Sequence, residues 1–153
     1  MNAYLGIGSN LGNRLQQLNV AITRLAEIAG NILAISDFHE TTSWGYESPN
    51  QFLNAAIQIE TSLSPHELLS TIQQIEHEMG RMSKSQDLQY TDRPIDIDIL
   101  MYDNLILQTP DLVLPHPLMH ERLFVLQPLS EIAPNLIHPV LKKMIEELRK
   151  DKM

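Results

Sequence analysis

"FLNAAIQIETSLSPHELLSTIQQIEHEMG", residues 52–80, holds one strand and one helix with a sharp boundary between them. Residues 52–62 read as a strand. Ser64-Pro65-His66-Glu67 then has the form of a helix start, with Ser64 as N-cap, Pro65 at the first helical position and Glu67 closing a capping box. Leu68, Leu69, Ile72, Ile75 and Met79 recur at helical spacing and carry that helix to Gly80, a natural stop.

Upstream, "AYLGIGSN" (3–10) reads as a short buried strand entering a glycine-rich turn. Leu15, Leu18, Ala21, Ile22, Leu25 and Ile28 then form one apolar stripe of a helix. "NILAISDFHETTSW" (31–44) reads as a further strand, joined to 52–62 by the turn-rich "GYESPNQ" (45–51). Downstream, "RMSKSQDLQYTD" (81–92) has no period and reads as a loop. It is followed by the strand "PIDIDILMY" (94–102), a turn at Asp103-Asn104 and an extended stretch, 105–114. The Pro-bounded "PHPLMHERLFVLQPL" (115–129) and a terminal helix from about Leu141 complete the chain. The order strand, helix, strand, strand, helix, strand predicts a ferredoxin-like α+β fold with helices packed on a sheet.

At 153 residues the expectation is a single domain, 1–153, with its own core. A hydrophobic content of 43% and a charged content of 20% describe a globular protein. The absence of cysteine excludes disulfides, thiolate zinc sites and cysteine nucleophiles. A formal charge of −8 argues against a nucleic-acid partner, which needs a basic face. No basic leader and no long apolar run is visible, so the expectation is a cytoplasmic protein with no membrane partner.

In "PIDIDIL", Asp96 and Asp98 share one strand face while Ile95, Ile97 and Ile99 share the other. Their Cα atoms are expected roughly 6.5–7 Å apart, close enough for both carboxylates to reach one cation or a pair of cations. Magnesium suits such oxygen donors. Pro94 keeps Arg93 extended, where its guanidinium can meet a phosphate. The alternative is a solvated strand face with a structural Arg–Asp pair.

Other residues also carry two readings. Gly6, Gly8 and Gly12 lack the spacing of a dinucleotide fingerprint and read as a tight strand-to-helix turn, with Ser9 and Asn10 beside it. His116 lies between Pro115 and Pro117, at a helix entrance, so a zinc site with His120 is disfavoured. His116 and Arg122 are either phosphate contacts or parts of a capped turn. Phe52 and Phe124 belong to a core by default, yet aromatic faces also grip flat ligands. Asn54 needs partners if buried, or a ligand that supplies them.

Together, "GSNLGNR", "FLNAA", "DRPIDIDIL", "LPHPLMHERLFVLQPL" and "EIAP" resemble 6-hydroxymethyl-7,8-dihydropterin pyrophosphokinase, in register from Tyr4 to about Pro139. The resemblance implies a ferredoxin-like α+β fold with α/β/α layers around a mainly antiparallel sheet. It also implies transfer of pyrophosphate from ATP to the pterin's hydroxymethyl oxygen, releasing AMP, in folate biosynthesis. By position, Asp96 and Asp98 hold two Mg²⁺ ions and, with Arg93, are catalytic. Gln73, Lys84, Tyr90, Arg93, His116 and Arg122 bind ATP, while Thr41, Thr42, Trp44, Phe52, Asn54 and Phe124 bind the pterin. The counterparts of the family's closing loops are Gly45 to Asn50 and Met82 to Asp92.

The chain departs from the family where Tyr90, Thr91 and Asp92 replace a common tryptophan, glycine and proline, and where Lys84 and Gln89 stand in for arginines. These changes bear on loop contacts and ATP affinity more than on the reaction. The expected assembly is a monomer with ATP and the pterin as its small-molecule partners. The alternatives are a degenerate pterin- or nucleotide-binding module, or another Mg²⁺-dependent phosphotransferase.

Overall fold

The computed structural model describes residues 1–41, 51–80 and 94–153. Strand β1 (Asn2–Ser9) runs through the middle of the sheet. It is antiparallel to β4 (Phe52–Glu60) on one side and to β5 (Asp96–Tyr102) on the other. The far edge of β4 pairs with two shorter strands, β2 (Asn31–Ile35) and β3 (His39–Thr41). The strand order is β2–β4–β1–β5, with β3 also on β4.

Alternation along the strands sorts their side chains into two layers. On one face Ala3, Leu5, Ile7, Ala55, Ile57, Ile59, Ile95, Ile97 and Ile99 pack against α1 (Arg14–Ile28) and α2 (Pro65–Glu78). On the other, Tyr4, Ala56, Leu100 and Met101 meet α3 (Leu123–Ile132) and α4 (Ile145–Asp151). Helices therefore cover both faces of an antiparallel sheet: the ferredoxin-like fold expected from the element order, in the α/β/α layers that the resemblance implies.

The helix starts follow from local chemistry. At α2 the Ser64 hydroxyl accepts from Glu67 N–H at 3.2 Å, and the Glu67 carboxylate accepts from Ser64 N–H at 2.8 Å, closing the capping box. The Ser64 backbone N–H bonded to the carboxylate, and after it the Ser64 side chain, hold the Glu67 carboxyl below its ordinary range. At α1, Gly12 takes φ +71, and the side chain of Asn13 then accepts from Gln16 N–H.

Several expectations change. Gly6 and Gly8 lie inside β1 rather than in a turn; only Gly12 serves the turn. Leu15, placed on the apolar stripe, is 53% exposed. The expected strand 31–44 breaks at Ser36, whose hydroxyl accepts from Ala56 N–H at 2.8 Å, so a side chain occupies the place of a ladder group. The stretch 105–114 folds back as a small hairpin, β6 (Leu107–Gln108) with β7 (Val113–Leu114). The terminal helix starts at Ile145, not near Leu141, because Lys142 takes φ +59 and Met144 bridges back to Ile137. The Pro-bounded segment enters α3, which runs past its end to Ile132 with Pro128 buried inside the helix.

Candidate active site

One row of the sheet sets the geometry. Asp96 on β5 pairs with Gly8 on β1, and Gly8 pairs with Asn54 on β4, so the three residues share a row and a face. In the next row on that face, Asp98 pairs with Gly6, which pairs with Ala56. Two strand spacings separate Asp96 from Asn54, roughly 10 Å between Cα atoms. The glycine strand between them presents no side chain, so the centre of this face has a bare backbone floor.

The clearance over that floor is small on the Asn54 side. A Cβ on Gly8 would lie 2.6 Å from Asn54 Oδ1 and 3.5 Å from Phe52 Cδ1. The Asn54 amide is buried, and its Nδ2 donates to Thr41 Oγ1 at 2.6 Å. Thr41 pairs with Phe52 across β3 and β4. Thus Thr41, Phe52 and Asn54 are gathered at one end of the floor, with Asn54 partnered as its burial requires.

At the other end Asp96 and Asp98 are half-buried on the same face, while Ile95, Ile97 and Ile99 point into the α1/α2 core. The same-face arrangement read from alternation holds. Two carboxylates beside a strand without side chains make an oxygen donor set that fits Mg²⁺. Among the described residues there is no cluster of three or more metal-ligating side chains. A cation held here would take its remaining oxygens from water or from a bound molecule.

The segment after β7 brings His116 to this edge. Its backbone N–H donates to Leu100 O at 2.8 Å, and its Nδ1 accepts from Leu118 N–H at 3.2 Å. The capped-turn reading is therefore present in the structure. With Nδ1 an acceptor, the neutral ring carries its proton on Nε2, which can also donate to a phosphate, so the two readings are compatible. Arg122 stands at the N-cap of α3 with its guanidinium carbon 5.7 Å from the centroid of the Phe124 ring, within cation–π range. Gln73 is exposed on α2, one turn before Glu76. Thr42, Trp44, Lys84, Tyr90 and Arg93 lie outside the described residues, as do both loop counterparts.

Two features escape a reading of the sequence. Glycine marks turns and bare strand faces alike, and only the pairing of β1 on both edges reveals Gly6 and Gly8 as floor. Glu76 is buried at 3% exposure and its carboxylate accepts from Ile97 N–H at 2.9 Å. The signal was in its spacing: Leu68, Ile72 and Glu76 fall at i, i+4 and i+8, so the acid sits within the apolar stripe. Ser9, set beside the site by its sequence neighbours, has a buried hydroxyl with no hydrogen-bond partner and shares the core-facing phase of Ile7.

The family model described as 7,8-dihydro-6-hydroxymethylpterin-pyrophosphokinase matches residues 4–134. The 2-amino-4-hydroxy-6-hydroxymethyldihydropteridine pyrophosphokinase of Porphyromonas gingivalis is 48% identical, over 89% of this chain and 92% of that protein. The Aquifex aeolicus protein of the same name is 41% identical, over 95% of this chain and 89% of its own. In fold, the chain is similar to Plasmodium falciparum HPPK-DHPS crystallised with pteroate, with a TM-score of 0.79 at 16% identity. That match covers 98% of this chain and only 44% of the solved one, so the chain spans less than half of that structure. With the match running from β1 to just beyond α3, the chain belongs to the 7,8-dihydro-6-hydroxymethylpterin-pyrophosphokinase family.

Proposed function

We propose that the protein transfers pyrophosphate from ATP to 6-hydroxymethyl-7,8-dihydropterin, giving the pterin pyrophosphate and AMP, as a step of folate biosynthesis. The observation that carries this reading is the row Asp96–Gly8–Asn54, which sets a carboxylate end and an amide end on one face across a bare strand. Phe52 and Phe124 stack the pterin ring, and Asn54, held by Thr41, bonds its polar edge. Thr42 and Trp44 complete that subsite.

Asp96 and Asp98 hold two Mg²⁺ ions, which supply positive charge to the polyphosphate when bound. Arg93, His116 and Arg122 bond the phosphates, and Gln73, Lys84 and Tyr90 contact the rest of ATP. The hydroxymethyl oxygen bonds the β-phosphorus while the bond from that phosphorus to the oxygen of AMP breaks. The side chains act by position and charge rather than as a covalent nucleophile, in keeping with a chain without cysteine.

The proposal includes a single domain over 1–153 working as a cytoplasmic monomer without nucleic-acid or membrane partners. The net charge of −8 supports the first exclusion. Among the described residues no helix is long and apolar enough to cross a membrane. The test is an assay of purified protein with ATP, Mg²⁺ and the pterin. The expected products are AMP and pterin pyrophosphate; formation of ADP, or turnover without the pterin, overturns the reading.

A further inference from the structure

Glu76 is the one carboxylate among the described residues that is buried, set between Ile72 and Ile75 of α2 and the edge of the sheet. Burying a carboxylate is costly unless it is well bonded, and leucine would fill an apolar helix–sheet seam without that cost. Its bond to Ile97 N–H therefore calls for a reason beyond packing.

Ile97 lies between Asp96 and Asp98 on β5, which among the described residues is the outer strand of the sheet and pairs with β1. In an antiparallel ladder, residues alternate between exchanging both backbone bonds with the partner strand and turning both groups away from it. The Ile97 N–H goes outward to Glu76, so Asp96 and Asp98 are the residues bonded inward, to Gly8 and Gly6. Three successive residues are thus held from alternate sides, two by β1 and the middle one by the helix. A sheet edge otherwise leaves such an N–H to water.

We infer that Glu76 is a positioning residue for Asp96 and Asp98: by fixing Ile97 from the sheet edge, it sets the spacing at which the two carboxylates leave the strand toward a divalent cation. This rests on the proposed reading of those aspartates as cation ligands. The contribution is geometric, so an uncharged acceptor of the same shape serves in its place.

The test uses the full chain with Mn²⁺ as the probe and a non-hydrolysable ATP analogue present, following bound Mn²⁺ by electron paramagnetic resonance. Glu76→Leu is expected to weaken Mn²⁺ binding at least tenfold and to speed Ile97 amide exchange at least tenfold. Its KM for the pterin stays within twofold of the unaltered protein. Glu76→Gln, which keeps an acceptor oxygen, stays within threefold on all three measures. Mn²⁺ binding within twofold in a folded Glu76→Leu variant overturns the inference. So does a tenfold loss in Glu76→Gln, which would assign the effect to charge; this second variant decides the matter if Glu76→Leu does not fold. Asp96→Asn and Asp98→Asn separate the two layers of argument. If they leave Mn²⁺ binding unchanged, the ligand reading fails and takes the inference with it; if they abolish binding while Glu76→Leu does not weaken it, the inference alone fails.

Discussion

Asn54 and Thr41 are joined side chain to side chain at 2.6 Å across the β3–β4 ladder, and the bond fixes the amide that faces the glycine floor. Thr41→Val keeps the shape and removes the acceptor, leaving a buried donor unpaired. The expected cost is about 1–3 kcal/mol of stability. Urea denaturation should record that loss, and steady-state kinetics should show a pterin KM raised severalfold with the Mg²⁺ dependence unchanged. A variant with unaltered pterin KM would remove Thr41 from the subsite.

Gly8→Ala tests the floor directly. The added methyl group would lie 2.6 Å from Asn54 Oδ1, inside any tolerated contact, so the amide must move. Pterin affinity should fall at least tenfold by calorimetry, with a circular dichroism spectrum like that of the unaltered protein. Gly6→Ala is the matched control, because its Cβ would stand at an ordinary 3.6 Å from Leu100. It should lower pterin affinity less than Gly8→Ala does, since only contacts at van der Waals distance are added.

Arg14, the last residue of the "GSNLGNR" motif, bonds a neighbour of each member of the Thr41–Phe52 pair, Glu40 on β3 and Gln51 just before β4. Its guanidinium donates to Glu40 Oε1 and to Gln51 O, each at 2.8 Å. The ion pair is half-exposed, so Arg14→Ala should cost no more than about 1 kcal/mol of stability. Its effect should fall on the pterin end: KM for the pterin raised two- to fivefold, kcat and the KM for ATP unchanged. Arg14→Lys, with one compact head in place of a fork, should give an intermediate value.

His138 makes stability depend on pH. Its Nδ1 accepts from Val140 N–H and Leu141 N–H, so the folded ring is neutral at that atom. Burial, and then the His120 ring 6.1 Å away, lower its pKa from the ordinary 6.5. The unfolded chain therefore binds a proton near pH 6.5 that the folded chain does not bind until a lower pH. Stability from this group is full above about 6.5, declines as pH falls, and levels off below the folded pKa. Melting temperatures at pH 7.5 and 5.5 should differ less in His138→Asn than in the unaltered protein. An equal difference would assign the acid sensitivity to other groups.

The parts of the fold that rest on short-range chemistry were legible in the sequence. Ser64, Pro65 and Glu67 announce α2, and the alternation of Ile95, Ile97 and Ile99 with Asp96 and Asp98 fixes which face of β5 carries the acids. What escaped depends on partners far along the chain. The break after Ile35 needs Ala56 as a partner for Ser36, and the burial of Glu76 needs Ile97. Leu15 obeys the helical period yet meets solvent, because a period specifies a direction and not how far the sheet extends beneath it. At the site, Asp96, Asp98, Phe52 and Asn54 could be named from the motifs, but the empty strand joining the two ends is a matter of pairing.

The pairing of β1 with β5 slips by one residue between Tyr4 and Leu5, so Leu100 is left over and both Leu100 and Met101 turn toward α3 and α4. That extra residue works as a phase corrector. Before it, even-numbered positions of β5 face the site; after it, odd-numbered Met101 takes that face and even-numbered Tyr102 returns to the α1/α2 core. Deleting Leu100 would put the two halves of the strand in a single phase. With the Tyr102 and Asp103 end anchored to Asn2, the ladder would straighten while Asp98 stayed opposite Gly6 and Asp96 opposite Gly8; the loss would fall on the Leu100 side chain packed toward α3 and α4 and on the Leu100 carbonyl that holds His116 N–H at the site's edge.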